Sequence, residues 1–319
     1  MRWNRRRICL ALGVLFVVIV LGPVVVRQLW PTTRRKLEGV RLEDISYRDV
    51  QFPNEKSNLA LAGMLLVPDG DGPFPAVVMI HGSGTSRRNN SWYLTPASYL
   101  QANGIVVLLP DKRGSEQSEG DWRSSSFDDL ATDTVAAIDF LRQQEEVPIA
   151  AIGIVGMSQG GHIAPLVAQQ TDVAFVVNVS GGAGPMRQAL LFEEQHNLRQ
   201  LGFLPGIADG IALLSTPYIM HVGQDEFWDA IGDYDPLPHW RDLNVPTLVL
   251  YGRDDTNVNV QESAARLRSL DKSNVEVEIY ADCGHAVEEP AAMGNTVIRA
   301  DALARIRDFI HDAVDDTAL

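Results

Sequence analysis

Short, mainly apolar runs punctuate this chain, and segments of helical spacing separate them. Pro75 to Ile80 (PAVVMI), Ile105 to Leu109 (IVVLL), Ile149 to Val155, Val173 to Val179, Thr247 to Tyr251 and Val275 to Tyr280 read as strands. The continuous apolarity of Pro75 to Ile80, and of Ile105 to Leu109 after it, is the pattern of strands buried on both faces. Between them, Trp92 to Asn103, Phe127 to Arg142, Gln159 to Gln170, Gln261 to Leu270 and Thr296 to His311 repeat their apolar positions at helical spacing. Asp128 and Asp129 stand in the first turn of the second of these helices, where the helix dipole favours them. Two alternating or mixed segments, Ile45 to Phe52 and Leu59 to Val67, precede the series as strands and end at the turn formers of Pro68 to Pro73. Strand–helix alternation of this kind predicts an α/β fold: a mostly parallel sheet covered by helices on both faces.

Two segments break the alternation. Residues 181–244 contain seven of the 23 aromatic residues. They are too many for a plain connection, which predicts a helical lid insertion at the carboxyl edge of the sheet. Ile8 to Val26 is a run of 19 residues without a charge, flanked by Arg2, Arg5, Arg6 and Arg7 and by Arg27, Arg34, Arg35 and Lys36. At ~1.5 Å per residue it spans roughly 28 Å, close to the hydrocarbon thickness of a bilayer. No small-residue cleavage site closes it. The expected organisation is a basic N-terminus over 1–36 with a transmembrane anchor at 8–26, followed by one domain over 37–319. The packed N-terminal arginines favour an extracytoplasmic domain; secretion after signal cleavage is the alternative.

Charge sharpens the division. Residues 1–36 carry +8, while the other 19 basic residues and all 41 acidic ones lie beyond, giving −22. So acidic a domain is unsuited to nucleic acid. Cys9 and Cys283 are the only cysteines, which excludes a disulfide framework and a cysteine zinc site. The candidate motifs have no metal-ligand spacing, no Walker lysine and no dinucleotide fingerprint, so neither metal nor cofactor is expected.

The most informative segment is Gly156-Met157-Ser158-Gln159-Gly160, where a buried strand runs directly into Gly-x-Ser-x-Gly and then a helix. A serine on such a turn is held in a strained backbone conformation at a helix N-terminus, which suits a nucleophile. With this motif stand His81-Gly-Ser-Gly84, Pro110-Asp-Lys-Arg-Gly114, Ser118-Glu-Gly-Asp-Trp122, Gly252 to Asp255 and Gly284-His285, preceded by Leu61-Ala-Gly63 and Gly72-Pro-Phe-Pro75. In this order the set resembles the α/β-hydrolase superfamily. Within it, the chain is most similar to bacterial serine esterase and prolyl-oligopeptidase-like hydrolases, over about residues 45–315.

Of the seven histidines, His285 follows the last predicted strand at the sheet's carboxyl edge and fits a general base in the chain order Ser–acid–His. His81 shapes its glycine-rich loop, His162 shares a helix with Ser158, His196, His221 and His239 belong to the lid, and His311 lies near the C-terminus. Asp254 and Asp255 compete for the acid, with Glu288 and Glu289 as weaker alternatives. The resembling enzymes place the acid three residues beyond the glycine, which selects Asp255. The oxyanion hole is expected from the backbone N–H groups of Ser83 and Gln159, and substrate contacts from Phe192, Trp228 and Trp240 in the lid.

The resemblance implies acyl transfer to water through a Ser158–Asp255–His285 triad, without metal or cofactor. A carboxylic ester is the first expected substrate. A short peptide is the alternative, with Glu193 and Glu194 as candidates to hold an amine. A thioester, or a membrane-tethered binding role without catalysis, stands further back. The sequence leaves the oligomeric state open.

Overall fold

The structure, a computed structural model, describes residues 14, 18, 21–29 and 35–317. Eleven strands are present among these residues. They are Leu37–Glu38 (β1), Arg48–Asn54 (β2), Leu59–Leu66 (β3), Phe74–Ile80 (β4), Val106–Pro110 (β5), Ile149–Met157 (β6), Val176–Val179 (β7), Thr247–Gly252 (β8), Val275–Tyr280 (β9), Glu288–Pro290 (β10) and Thr296–Ile298 (β11). Strands β2 to β9 form one sheet in the order β2-β3-β5-β4-β6-β7-β8-β9. The β2/β3 and β3/β5 pairs are antiparallel and all the others parallel. A small sheet, β1-β11-β10, stands apart from it.

The continuous apolarity of the central strands is explained by what covers them. Ala76, Val78 and Ile80 of β4 face one core with Val106, Leu108, Ile152 and Ile154. That core is closed by helices Phe127–Arg142 (α2) and Gln159–Gln170 (α3). Val77 and Met79 face the other, with Val107, Leu109, Val155 and Val177, under helices Ser91–Ala102 (α1) and Ala300–Thr317 (α9). Alternate residues of one strand thus enter different cores, as the two-residue period of a strand requires.

Local chemistry fixes the helix starts. Ser126 and Asp129 make a reciprocal capping box at the head of α2, with Ser126 Oγ accepting from Asp129 N at 3.1 Å. Asn90 and Asn259 cap α1 and helix Val260–Arg268 (α8) through their side chains. The predicted strand at Val173 begins only at Val176. The predicted helix from Thr296 begins at Ala300, because Thr296–Ile298 pairs instead with β1 and β10.

Between β7 and β8 the chain forms four α-helices: Met186–Gln200 (α4), Pro205–Tyr218 (α5), Asp225–Ile231 (α6) and Leu237–Asp242 (α7), with a π-helical turn at Ile219–Gly223. Residues 21–29 are helical, and Arg27 Nε donates to the Gln200 carbonyl at 3.1 Å. Among the described residues no helix is long and apolar enough to cross a membrane. The expected anchor at 8–26 lies largely outside the described residues.

Candidate active site

The parallel strands deliver their following loops to one edge of the sheet, and adjacent carboxyl ends of such a sheet are where a site can be assembled. Ser158 follows β6 with φ 52° and ψ −118°, left-handed values that an L-residue adopts only under constraint. The constraint is visible on both sides. Its N–H donates to the Val179 carbonyl at 2.8 Å, and its carbonyl accepts from Gly161 N at 2.8 Å. The flanking glycines are sterically obligatory: a Cβ on Gly156 would lie 2.4 Å from the Gly160 carbonyl oxygen, and one on Gly160 would lie 2.2 Å from that of Ile80.

His285 lies beyond β9, and its Nε2 stands 2.9 Å from Ser158 Oγ. Its Nδ1 stands 2.7 Å from Asp255 Oδ2. Asp255 itself is 5% exposed, and its other oxygen accepts the backbone N–H groups of Asn257 (2.8 Å) and Val258 (3.0 Å). Both oxygens of this carboxylate are therefore engaged, one by the turn and the other by the imidazole. The Trp92 ring lies 5.2 Å from the His285 ring. Asp254, by contrast, is exposed, and its backbone N–H donates to the Cys283 carbonyl. Glu288 accepts from Ala286 N and Glu289 lies 3.7 Å from Arg299, so both are engaged away from His285.

Ser83 and Gln159 line the same cavity as Ser158. Gln159 is the first residue of α3, where backbone N–H groups have no intrahelical acceptor. Gly82, just before Ser83, approaches the serine closely: a Cβ there would lie 3.2 Å from Ser158 Cβ. The cavity has a volume of about 750 Å³ and is walled by sheet-edge loops and by α4 and α6.

Of the three aromatic residues expected to meet substrate, Trp228 lines this cavity. The other two do not. Trp240 is fully buried in the core, because α7 packs against α3 and turns its indole inward. Phe192 pairs with the His196 ring at 4.2 Å and is not part of the wall. Sequence reasoning missed Trp122, Arg123 and Phe227 as wall residues. Trp122 closes a motif that had been noted, but nothing local showed that its ring meets Phe227 of the insertion edge to face, at 5.8 Å. Glu193 and Glu194 both line the cavity, and burial holds the Glu193 carboxyl above the usual carboxylate range.

The remaining histidines have other surroundings. His81 is buried against Tyr93, and burial, aided by the charge of Lys112, lowers its pKa to about 3. His162 is buried beside the Ser158 carbonyl, and burial lowers it to about 4. His311 Nε2 contacts the Asn103 carbonyl at 3.1 Å. No group of metal-ligating side chains occurs among the described residues.

The profile of the alpha/beta hydrolase family matches residues 77–295, and the chain belongs to that family. It is similar to esterase EstD of Thermotoga maritima, 24% identical over 239 residues, covering 70% of this chain and 57% of that protein. The chain thus spans little more than half the length of that relative. It is also similar to the uncharacterized peptidase YtmA of Bacillus subtilis, 26% identical over 253 residues, covering 78% of this chain and 87% of the relative. Among solved structures, the Pyrococcus furiosus esterase Pf2001 superposes with a TM-score of 0.61 at 20% identity, covering 87% of this chain and 96% of that one.

Proposed function

We propose that this member of the alpha/beta hydrolase family is a hydrolase that cleaves carboxylic esters by acyl transfer through Ser158. His285 takes the hydroxyl proton as Ser158 Oγ attacks the ester carbonyl. The tetrahedral oxyanion is held by the N–H groups of Ser83 and Gln159. Collapse expels the alcohol, which receives the proton from His285, and leaves an acyl-enzyme. Water, deprotonated by the same imidazole, then releases the acid. Asp255 keeps His285 in the tautomer that points a bare nitrogen at the serine and stabilises the imidazolium. The observation that carries this reading is the unbroken chain from Ser158 Oγ through His285 to Asp255, at 2.9 and 2.7 Å, opening on a cavity of about 750 Å³.

The helices between β7 and β8 act in this proposal as a lid, with Trp228 and Leu190 supplying apolar wall to an acyl or alcohol group. The proposal also includes anchoring of the chain by residues 8–26, supported by the charge-free run and its basic flanks. Extraction of membranes with alkaline carbonate tests it: an anchored chain stays in the pellet, and release into the supernatant removes this part.

Peptide cleavage is a second reading, favoured by Glu193 and Glu194 on the cavity wall, where a substrate amine has carboxylates to meet. The two readings separate in one experiment on the full-length protein. kcat/KM is measured on p-nitrophenyl esters of increasing acyl length and on aminoacyl p-nitroanilides, with Ser158→Ala as blank. Ester turnover that vanishes in the blank, with little amide turnover, supports the esterase. Dominant amide turnover establishes a peptidase, and undiminished activity in Ser158→Ala discards the serine mechanism altogether.

A further inference from the structure

Lys112 follows β5 and is 8% exposed. Its ammonium donates to the Gly82 carbonyl and, at 2.8 Å, to Gln159 Oε1. The carboxylates nearest in sequence are committed elsewhere. Asp111 binds Arg88 in a bidentate pair, with contacts of 2.8 Å from Nε and 2.7 Å from Nη2. Arg113 likewise grips Asp133. Among the described residues no carboxylate forms a salt bridge with Lys112. Its remaining charged or polarisable neighbours are His81 and the Trp122 ring, 5.6 Å from Nζ. A buried ammonium without a counter-charge is costly, and burial alone draws its pKa down to about 7. Such a group calls for a reason other than stability.

The reason lies in which carbonyl it holds. The Gly82 carbonyl and the Ser83 N–H belong to one peptide unit, and in a trans peptide the two point in opposite directions. Fixing the oxygen on Lys112 therefore turns the Ser83 N–H away from Lys112. The preceding peptide is pinned as well, since Gly82 N–H donates to Tyr93 Oη at 2.8 Å. Burial pushes the Tyr93 phenol up to about 12, so it stays protonated. The second grip, on the Gln159 side chain, reaches the first residue of α3, whose N–H is the other proposed donor.

We infer that Lys112 is a positioning residue of the oxyanion hole: one buried ammonium fixes the peptide that carries the Ser83 N–H and the residue that carries the Gln159 N–H. Its charge also polarises the 82–83 peptide, so that the N–H becomes a stronger donor as negative charge develops on the substrate oxygen. The inference rests on the acyl-transfer reading of Ser158.

The test uses the full-length protein with Lys112→Met, which keeps the length of the side chain and removes the ammonium. A residue that serves the transition state should change kcat while leaving ground-state binding alone. kcat on a p-nitrophenyl ester should fall about 10- to 100-fold, short of the ~10²–10³ typical when an oxyanion donor is lost outright. KM should stay within about twofold. The Ki of a trifluoromethyl ketone, whose serine adduct carries the oxyanion, should rise by the same factor as kcat/KM falls. Tm should change little, since the cost of the buried charge is removed while the Gly82 carbonyl and Gln159 Oε1 lose their donor; a merely structural lysine would lower Tm and leave kcat and Ki unmoved. If the Met variant does not fold, Lys112→Gln is read by the same kcat, KM and Ki criteria.

Unchanged kcat and Ki, or a loss confined to KM, overturns the inference. Fluorophosphonate labelling of Ser158 in the unsubstituted protein separates the two levels. Without labelling the acyl-transfer reading itself falls. With labelling intact and kcat unaffected by Lys112→Met, only the role of Lys112 falls.

Discussion

The acute demands on this chain fall on single residues. Ser158 at φ 52° tolerates no side chain on the glycines around it, and Gly160 shows why: its added Cβ would meet a backbone oxygen, 2.2 Å away, that cannot rotate aside. Gly160→Ala should therefore push α3 away from β4, cost about 1–3 kcal/mol as overpacking does, and abolish fluorophosphonate labelling. A variant with unchanged Tm and labelling would show that the elbow yields easily. The aspartates make a second contrast at this scale. Asp255→Asn should lower kcat by up to about 10⁴-fold, because an amide presents the imidazole with the wrong hydrogen-bonding partner. Asp254→Asn, exposed and pointing no oxygen at His285, should stay near the unsubstituted rate. Ester kinetics on both variants decide it, and the opposite ranking would sink the assignment of Asp255. The neighbourhood of Ser158 was legible in the sequence because its determinants are local: glycines two residues either side of a serine between a strand and a helix. The choice between adjacent aspartates was legible only through resemblance. What distinguishes them physically is the turn that aims the N–H groups of Asn257 and Val258 at one oxygen of Asp255.

Elements behave differently from residues. Strands β4 and β5 and helices α2 and α3 could be read almost to the residue, since burial on both faces leaves these two strands an unbroken apolar run and helical spacing marks the two helices. The helices between β7 and β8 could be expected as helices, but the faces they turn to the cavity could not. Helical periodicity tells which side is buried, not whether it is buried against a core or along a cavity wall. Trp228 and Trp240 illustrate the difference, as only the first reaches the cavity. Trp228→Ala should shift the preferred acyl length and raise KM for the esters that now fit best, beside a loss of stability, since Trp228 is itself buried against the core. Trp240→Ala should cost about 3–5 kcal/mol of stability, as expected for a large buried aromatic, while leaving KM unaltered. Denaturant titration beside an acyl-length series tests both. A change of chain-length preference in the Trp240 variant would mean that its indole reaches substrate after all. Lys112 was invisible for a related reason: its partners, the Gly82 carbonyl and Gln159, lie 30 and 47 residues away along the chain.

The whole molecule carries a pH dependence that follows from two buried imidazoles. His81 and His162 sit against the sheet with folded-state pKa values of about 3 and about 4, against 6.5 unperturbed, because burial penalises their charged forms. Between those values and 6.5 the unfolded chain binds protons that the folded chain does not, so stability rises with pH across this window. The contribution is complete above pH 6.5 and is lost as pH falls, down to about 4 for His162 and about 3 for His81. Each group is worth on the order of 3–5 kcal/mol at full effect, at about 1.4 kcal/mol per pH unit. Glu193 runs the other way: its raised carboxyl pKa favours the folded state when protonated, and that contribution disappears as pH climbs through the carboxylate range. The diagnostic window therefore lies between pH 5 and 6.5, above most carboxylates. Urea unfolding there should show ΔG declining with acid in the unsubstituted protein, and His162→Gln should flatten the slope by roughly one proton, about 1.4 kcal/mol per pH unit. Equal slopes for the two proteins would mean that His162 takes up its proton without unfolding, and that the packing around α3 opens more readily than its burial implies.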